Sequence, residues 1–104
     1  MNYDRIRAEA DKKGIQILLG CSVDSAKELI LNFKKDGYRI FLSPTIEGFD
    51  KQVKVNDRVL LLLPELMDGY LSVIWQRRLK SSVILTLSNM ATSKAKCYVH
   101  TEVE

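Results

Sequence analysis

The stretch from residue 57 to 88, DRVLLLLPELMDGYLSVIWQRRLKSSVILTLS, constrains the fold more than any other part of this chain. Residues 59–63 (VLLLL) are apolar at every position. A strand without polar alternation is covered on both faces, as a central strand of a parallel sheet is. A second run, residues 83–87 (VILTL), apolar but for Thr86, follows, and neither run contains a carboxylate. The segment between them admits two readings. As a helix, Leu66, Met67, Tyr70, Leu71, Ile74 and Trp75 form one stripe, Pro64 suits the first turn, and Arg77, Arg78 and Lys80 suit the last, where cations meet the negative end of the dipole. As a hairpin, Asp68–Gly69 is the turn and YLSVIW the returning strand. The C-terminal half would then be antiparallel and the fold α+β. Gly69 costs a helix about 1 kcal/mol against Ala. Six stripe positions in register outweigh it, so a helix over 64–80 is favoured.

Upstream, the clearest helix spans 22–37. Ala26, Leu29, Ile30 and Phe33 fall at i, i+3, i+4 and i+7, Ser22 or Asp24 can cap the free amides, and Gly37 ends it. Strands are expected on either side, over 15–21 (IQILLGC) and 38–43 (YRIFLS). Tyr3, Ile6 and Ala10 suggest a short helix over 2–13, closed by Gly14. Residues 45–56 lack apolar periodicity and read as a loop with one helical turn at most. Residues 96–102 (KCYVHTE) read as a last strand whose polar residues suit an edge. The expected fold is therefore a single α/β domain over 1–104, with a possible helical extension at 1–14 and a core over 15–102. The core is a small flavodoxin-like or Rossmann-like, mostly parallel sheet of four to five strands with helices. Only two helices are expected after Ile15, which leaves one sheet face without cover. Either the N-terminal helix docks there or a second chain does, and a homodimer or an obligate partner is the natural inference.

Charge is uneven. Residues 1–68 carry 11 Lys/Arg and 11 Asp/Glu, whereas Arg77, Arg78, Lys80, Lys94 and Lys96 lie in a stretch without a carboxylate. Such a local excess favours an acidic protein surface or a phosphate backbone. No apolar run approaches the ~20 residues of a membrane span, so no membrane partner is expected. The charged start, MNYDRIRAEADKKG, has no signal-like apolar region. Cys21 and Cys97 read as two isolated reduced thiols of a cytoplasmic protein. With one His they do not make a zinc site by spacing, and no metal or cofactor is expected. Gly20 before Ser22 is no phosphate loop, because the G-x-G-x-x-G and P-loop patterns are both absent.

The order of these segments, together with SVDSAKELILNFKKDGYRI, RVLLLLPELMDGYLSVIWQRRL, SSVILTLS and AKCYVHTE, resembles the receiver domain of two-component response regulators over about 15–102. The resemblance implies a phosphoryl-accepting Asp and a Mg²⁺ site built from acidic residues. This chain departs from that pattern. The acidic pair falls on Gly20 and Cys21, the acceptor on Leu60 or Leu61, the Lys on Thr101 and the Pro after it on Glu102, while Thr86 or Ser88 fits the hydroxyl position. An aliphatic side chain cannot accept a phosphoryl group. What the resemblance implies is a degenerate receiver acting as a non-enzymatic, regulatory protein–protein interaction module. Apart from the resemblance, the charge excess and the exposed positions of the last strand give Trp75, Arg77, Arg78, Lys80, Tyr98 and His100 as partner-binding candidates, facing a protein with an acidic surface. Two alternatives stand beside this: a nucleic-acid-binding protein using the basic segment 77–96, and a small nucleotide or ligand pocket at the strand ends.

Overall fold

The computed structural model describes residues 2–87 together with the backbone of residues 98–100. The described elements alternate: α1 (Tyr3–Lys13), β1 (Ile15–Cys21), α2 (Val23–Lys35), β2 (Arg39–Leu42), α3 (Ile46–Gln52), β3 (Arg58–Leu63), α4 (Asp68–Arg77), β4 (Ser81–Leu87) and β5 (Tyr98–His100). They form one sheet in the order β2-β3-β4-β1-β5. The first four strands in that order are mutually parallel, and β5 runs antiparallel along β1. The α/β class and the mostly parallel sheet are as the sequence predicts. So is the helix between the two apolar runs, which sets aside the hairpin reading.

Topology dictates which face each helix covers. From β1 the chain crosses to the far edge for β2, then steps back through β3 and β4. A right-handed crossover places its helix on opposite faces for opposite directions of travel. Thus α2 must lie opposite α3 and α4, and the packing agrees. Phe49 of α3 and Tyr70, Val73 and Ile74 of α4 pack on Ile17, Val59, Leu61 and Ile84. Ile6 and Ala10 of α1, with Ala26, Leu29 and Phe33 of α2, pack on Leu18, Leu60, Val83 and Leu85. Alternate residues of each central strand serve opposite cores, which explains why VLLLL and VILTL show no polar alternation.

Two expectations are settled or corrected. Of the two ways to cover the second sheet face, the docking of the N-terminal helix is the one observed: among the described residues α1 takes the place beside α2. Its cap is Asn2, whose Oδ1 accepts from Arg5 N (3.1 Å), and it ends at Gly14 with φ 83°. Tyr3 packs edge-on against Phe33 with ring centroids 4.7 Å apart, and Arg7 reaches Asp36 of the α2 C-terminus at 3.4 Å. The argument for a dimer from an uncovered face therefore falls.

Residues 46–52 are a helix rather than a loop. Thr45 Oγ1 accepts from Gly48 N (2.9 Å), and the fully buried Phe49 meets Phe41 edge-on at 5.1 Å. Seven residues with one deep anchor are too short to display a period, so the signal lay in the cap instead. Helix α4 also starts later than Pro64. A Cβ on Gly69 would come within 2.5 Å of Ile46 Cδ1, so its glycine marks the close approach of α3 and α4.

Candidate functional site

In this alternation every helix runs back against the strands. All helix N-termini therefore collect at the end where the parallel strands finish, and all C-termini at the end where they start. First turns carry Asp4, Asp24, Glu47 and Asp68; last turns carry Lys12, Lys13, Lys34, Lys35, Lys51 and Arg77. Each placement complements its own helix dipole. Summed over the fold, they make one end acidic and the other basic.

At the strand-finish end, where doubly wound sheets hold ligands, the lining is apolar. A half-open cavity of about 290 Å³ is bounded by Ser43, Leu62, Leu63, Pro64 and Leu87. None of these side chains titrates. Beside it Leu42 is 63% exposed on the edge strand β2. Ser43 N donates to Leu62 O at 2.7 Å, so the odd-numbered amides of β2 face β3. By strand alternation, the N–H and C=O of Ile40 and Leu42 point away from the sheet. Gly20, at φ 72° in a β-bulge of β1, donates its N–H to Thr86 Oγ1 at 3.2 Å. That amide is committed within the fold rather than offered to a phosphate. Cys21, Leu60 and Leu61 are fully buried, and β4 lies between β1 and β3, so the receiver-type positions do not face one another across adjacent strands.

The strand-start end is knitted together by hydrogen bonds. Asn56 N donates to Arg78 O (3.2 Å) and Lys80 N to Asp57 O (2.9 Å), joining the α3–β3 and α4–β4 loops. Arg39 joins α3 to β2 by donating to Gln52 O (2.6 Å) and Asp57 Oδ2 (2.8 Å). Burial works against the Asp57 charge, but the Lys54 amide and the Arg39 guanidinium outweigh it and hold its carboxyl below the ordinary range. Tyr38 Oη lies 2.7 Å from Ser81 Oγ, and burial pushes the phenol above its usual pKa. Asp11 is approached by Arg7 at 3.9 Å and Arg58 at 3.8 Å, tying α1 to β3.

The expected binding residues divide between places. Arg77, Arg78 and Lys80 gather at the strand-start end with Trp75, which is 50% exposed rather than part of the core stripe. Arg77 is held by Asp50 at 2.9 Å. Tyr98 and His100 belong to β5, opposite Leu19 and Ile17 of β1 at the other edge of the sheet, and their side chains lie outside the described residues. Lys94, Lys96, Cys97, Ser88, Thr101 and Glu102 also lie outside them. Sequence reasoning missed that Lys12, Lys34, Lys35 and Lys54 lie at the same end of the sheet as Arg78 and Lys80. The available signal was the basic last turn of each helix, which an alternating topology must bring to one end.

Among the described residues no group of three or more His, Cys, Asp or Glu side chains is placed to hold a metal ion. No described helix is long and apolar enough to cross a membrane. Family models, curated proteins and solved structures yield no match to this chain, so its geometry alone informs the functional reading.

Proposed function

We propose that this chain is a non-enzymatic, regulatory protein-interaction module whose docking surface is the open edge of β2 and the apolar cavity beside it. The observation that carries the reading is the edge itself. It has four residues, RIFL, with Arg39 as its only charge, and it carries neither a proline nor a bulge to blunt it. Strand addition is an established mode of protein recognition, in which main-chain bonds supply affinity and side-chain pockets supply selectivity.

A second copy is the partner this edge suits. Antiparallel pairing centred on Phe41 sets Ile40 against Leu42 of the second copy, and the reverse. Every outward N–H and C=O of these residues is then used. The cross-strand pairs are apolar, and Arg39 falls opposite Ser43. Pairing in this sense also brings Asp24 and Glu47 toward the end of the second copy that carries Lys34, Lys35 and Lys51. The result is a two-fold assembly that closes on itself. The proposal does not depend on the receiver resemblance. A cytoplasmic setting belongs to it, in keeping with only two cysteines in 104 residues.

Light scattering at micromolar concentration tests the reading. The expected mass is twice the 11.9 kDa of the chain. Leu42→Pro deletes an outward donor that no bond among the described residues uses, so it should give a folded monomer. A wild-type monomer, or a Leu42→Pro dimer, contradicts the proposal.

A further inference from the structure

We infer that the strand-start end is a binding face for single-stranded nucleic acid, with Trp75 as a base-stacking platform on its rim. The inference rests on the strand-start end rather than on the β2 edge, although Lys34 and Lys35 lie toward the seam when that edge pairs.

The argument begins with how charge is used at this end. Asp11, Asp36, Asp50 and Asp57 are each engaged by an arginine: Arg58 and Arg7, Arg7, Arg77, and Arg39 respectively. The arginines thus neutralise the local carboxylates and lock the loops. Lys12, Lys34, Lys35, Lys54, Arg78 and Lys80 are left exposed, without an ion-pair partner among the described residues. Each of the helix-to-strand junctions contributes at least one of them. The positive surface is therefore spread over several loops rather than confined to one segment, as suits an extended run of phosphates better than a single anion.

Three further features support a binding face, and the first of them favours a single strand. Trp75 is half-exposed one turn before Arg78, whose N–H donates to Trp75 O at 3.3 Å. An aromatic face beside cations is what binds unpaired bases without sequence preference. Arg78 itself occupies the C-cap of α4 in the left-handed region, φ 53° and ψ 52°, where glycine is the unstrained choice. A cation is thus kept at a position where the backbone disfavours it. The loops that carry Lys54, Arg78 and Lys80 are bound to each other through Asn56 and Asp57, so the backbone that carries these cations needs little ordering on binding.

The chain holds one tryptophan, so its emission reports on the site directly. Titration of the full chain with oligothymidylate should quench Trp75, with a log–log salt slope approaching about −4 for six cations. Followed by anisotropy of a labelled oligonucleotide, Lys54→Gln and Lys80→Gln should each flatten the slope by roughly 0.7. Arg5→Gln, the same charge change at the opposite end, should leave it unchanged. Trp75→Ala should weaken binding roughly tenfold or more, and Trp75→Phe should retain it. No binding at micromolar protein and ~50 mM salt overturns the proposal, since non-specific binders reach roughly 10⁻⁴–10⁻⁶ M in physiological salt. So does binding indifferent to Trp75→Ala, or a preference for duplex DNA or for polyglutamate, the stand-in for an acidic protein.

Discussion

The two ends of this sheet are built from the same alternation and solve opposite problems. Where the parallel strands finish, the helices present acidic first turns around an apolar cavity beside the last residue of the edge strand β2. Where the strands start, basic last turns surround paired carboxylates, and the loops are tied to one another by main-chain bonds. The finish end offers backbone groups and apolar side chains; the start end offers charge on a rigid frame. The comparison teaches that helix-dipole complementarity, a local rule worth about 0.3–1 kcal/mol per charge, becomes a global property when every helix points the same way.

The largest effect tests what both ends share. Phe49→Ala removes the anchor that joins α3 to the core between them, and should cost about 3–5 kcal/mol in urea unfolding. A loss near zero would mean that α3 is only a surface turn. Next, Leu42→Pro should abolish self-association while changing monomer stability by far less than Phe49→Ala. Proline on an edge strand with its amide position facing solvent deletes no ladder bond. If it unfolds the protein instead, the outward direction assigned to that amide is wrong.

Arg78→Gly separates stability from binding at the start end. Relief of the left-handed backbone should raise stability by up to about 1 kcal/mol, while loss of a cation should weaken oligonucleotide binding. Stability and affinity moving together would break the idea that strain is retained there for charge.

The smallest effects are in pH. The folded-state pKa of Asp57 is lowered, so its contribution is present above the unfolded value and is lost as pH falls from about 4 toward the folded value. The folded-state pKa of Tyr38 is raised, so its contribution is present below about 10 and is lost as pH rises through the folded value. Asp57→Asn should flatten the acid limb, and Tyr38→Phe the alkaline one, in thermal melts across pH.

Much of this architecture was legible before the fold was known. Unbroken apolar runs announced strands buried on both sides, and Ser22, Gly14 and Gly37 marked helix ends where the structure has them. What stayed hidden depended on neighbours. Helix α3 declares itself only through the Thr45 cap and the fit of Phe49 against Phe41. The position of α1 on the second face rests on contacts from Arg7 and Tyr3 to residues some thirty positions away in the chain. The strand order was equally out of reach, since nothing local tells β1 to pair with β4. For the site, the charge excess at Arg77, Arg78 and Lys80 was visible, but the lysines that join them come from other helices and meet only through the topology.

Residue-resolved amide exchange along β2 tests the edge assignment most directly. The N–H of Phe41 and Ser43 points into the sheet and should exchange slowly at any protein concentration. Those of Ile40 and Leu42 should exchange fast in dilute protein and become as slow as Phe41 when the chain is concentrated enough to pair. Fast exchange at Ile40 and Leu42 at every concentration would contradict the self-pairing edge.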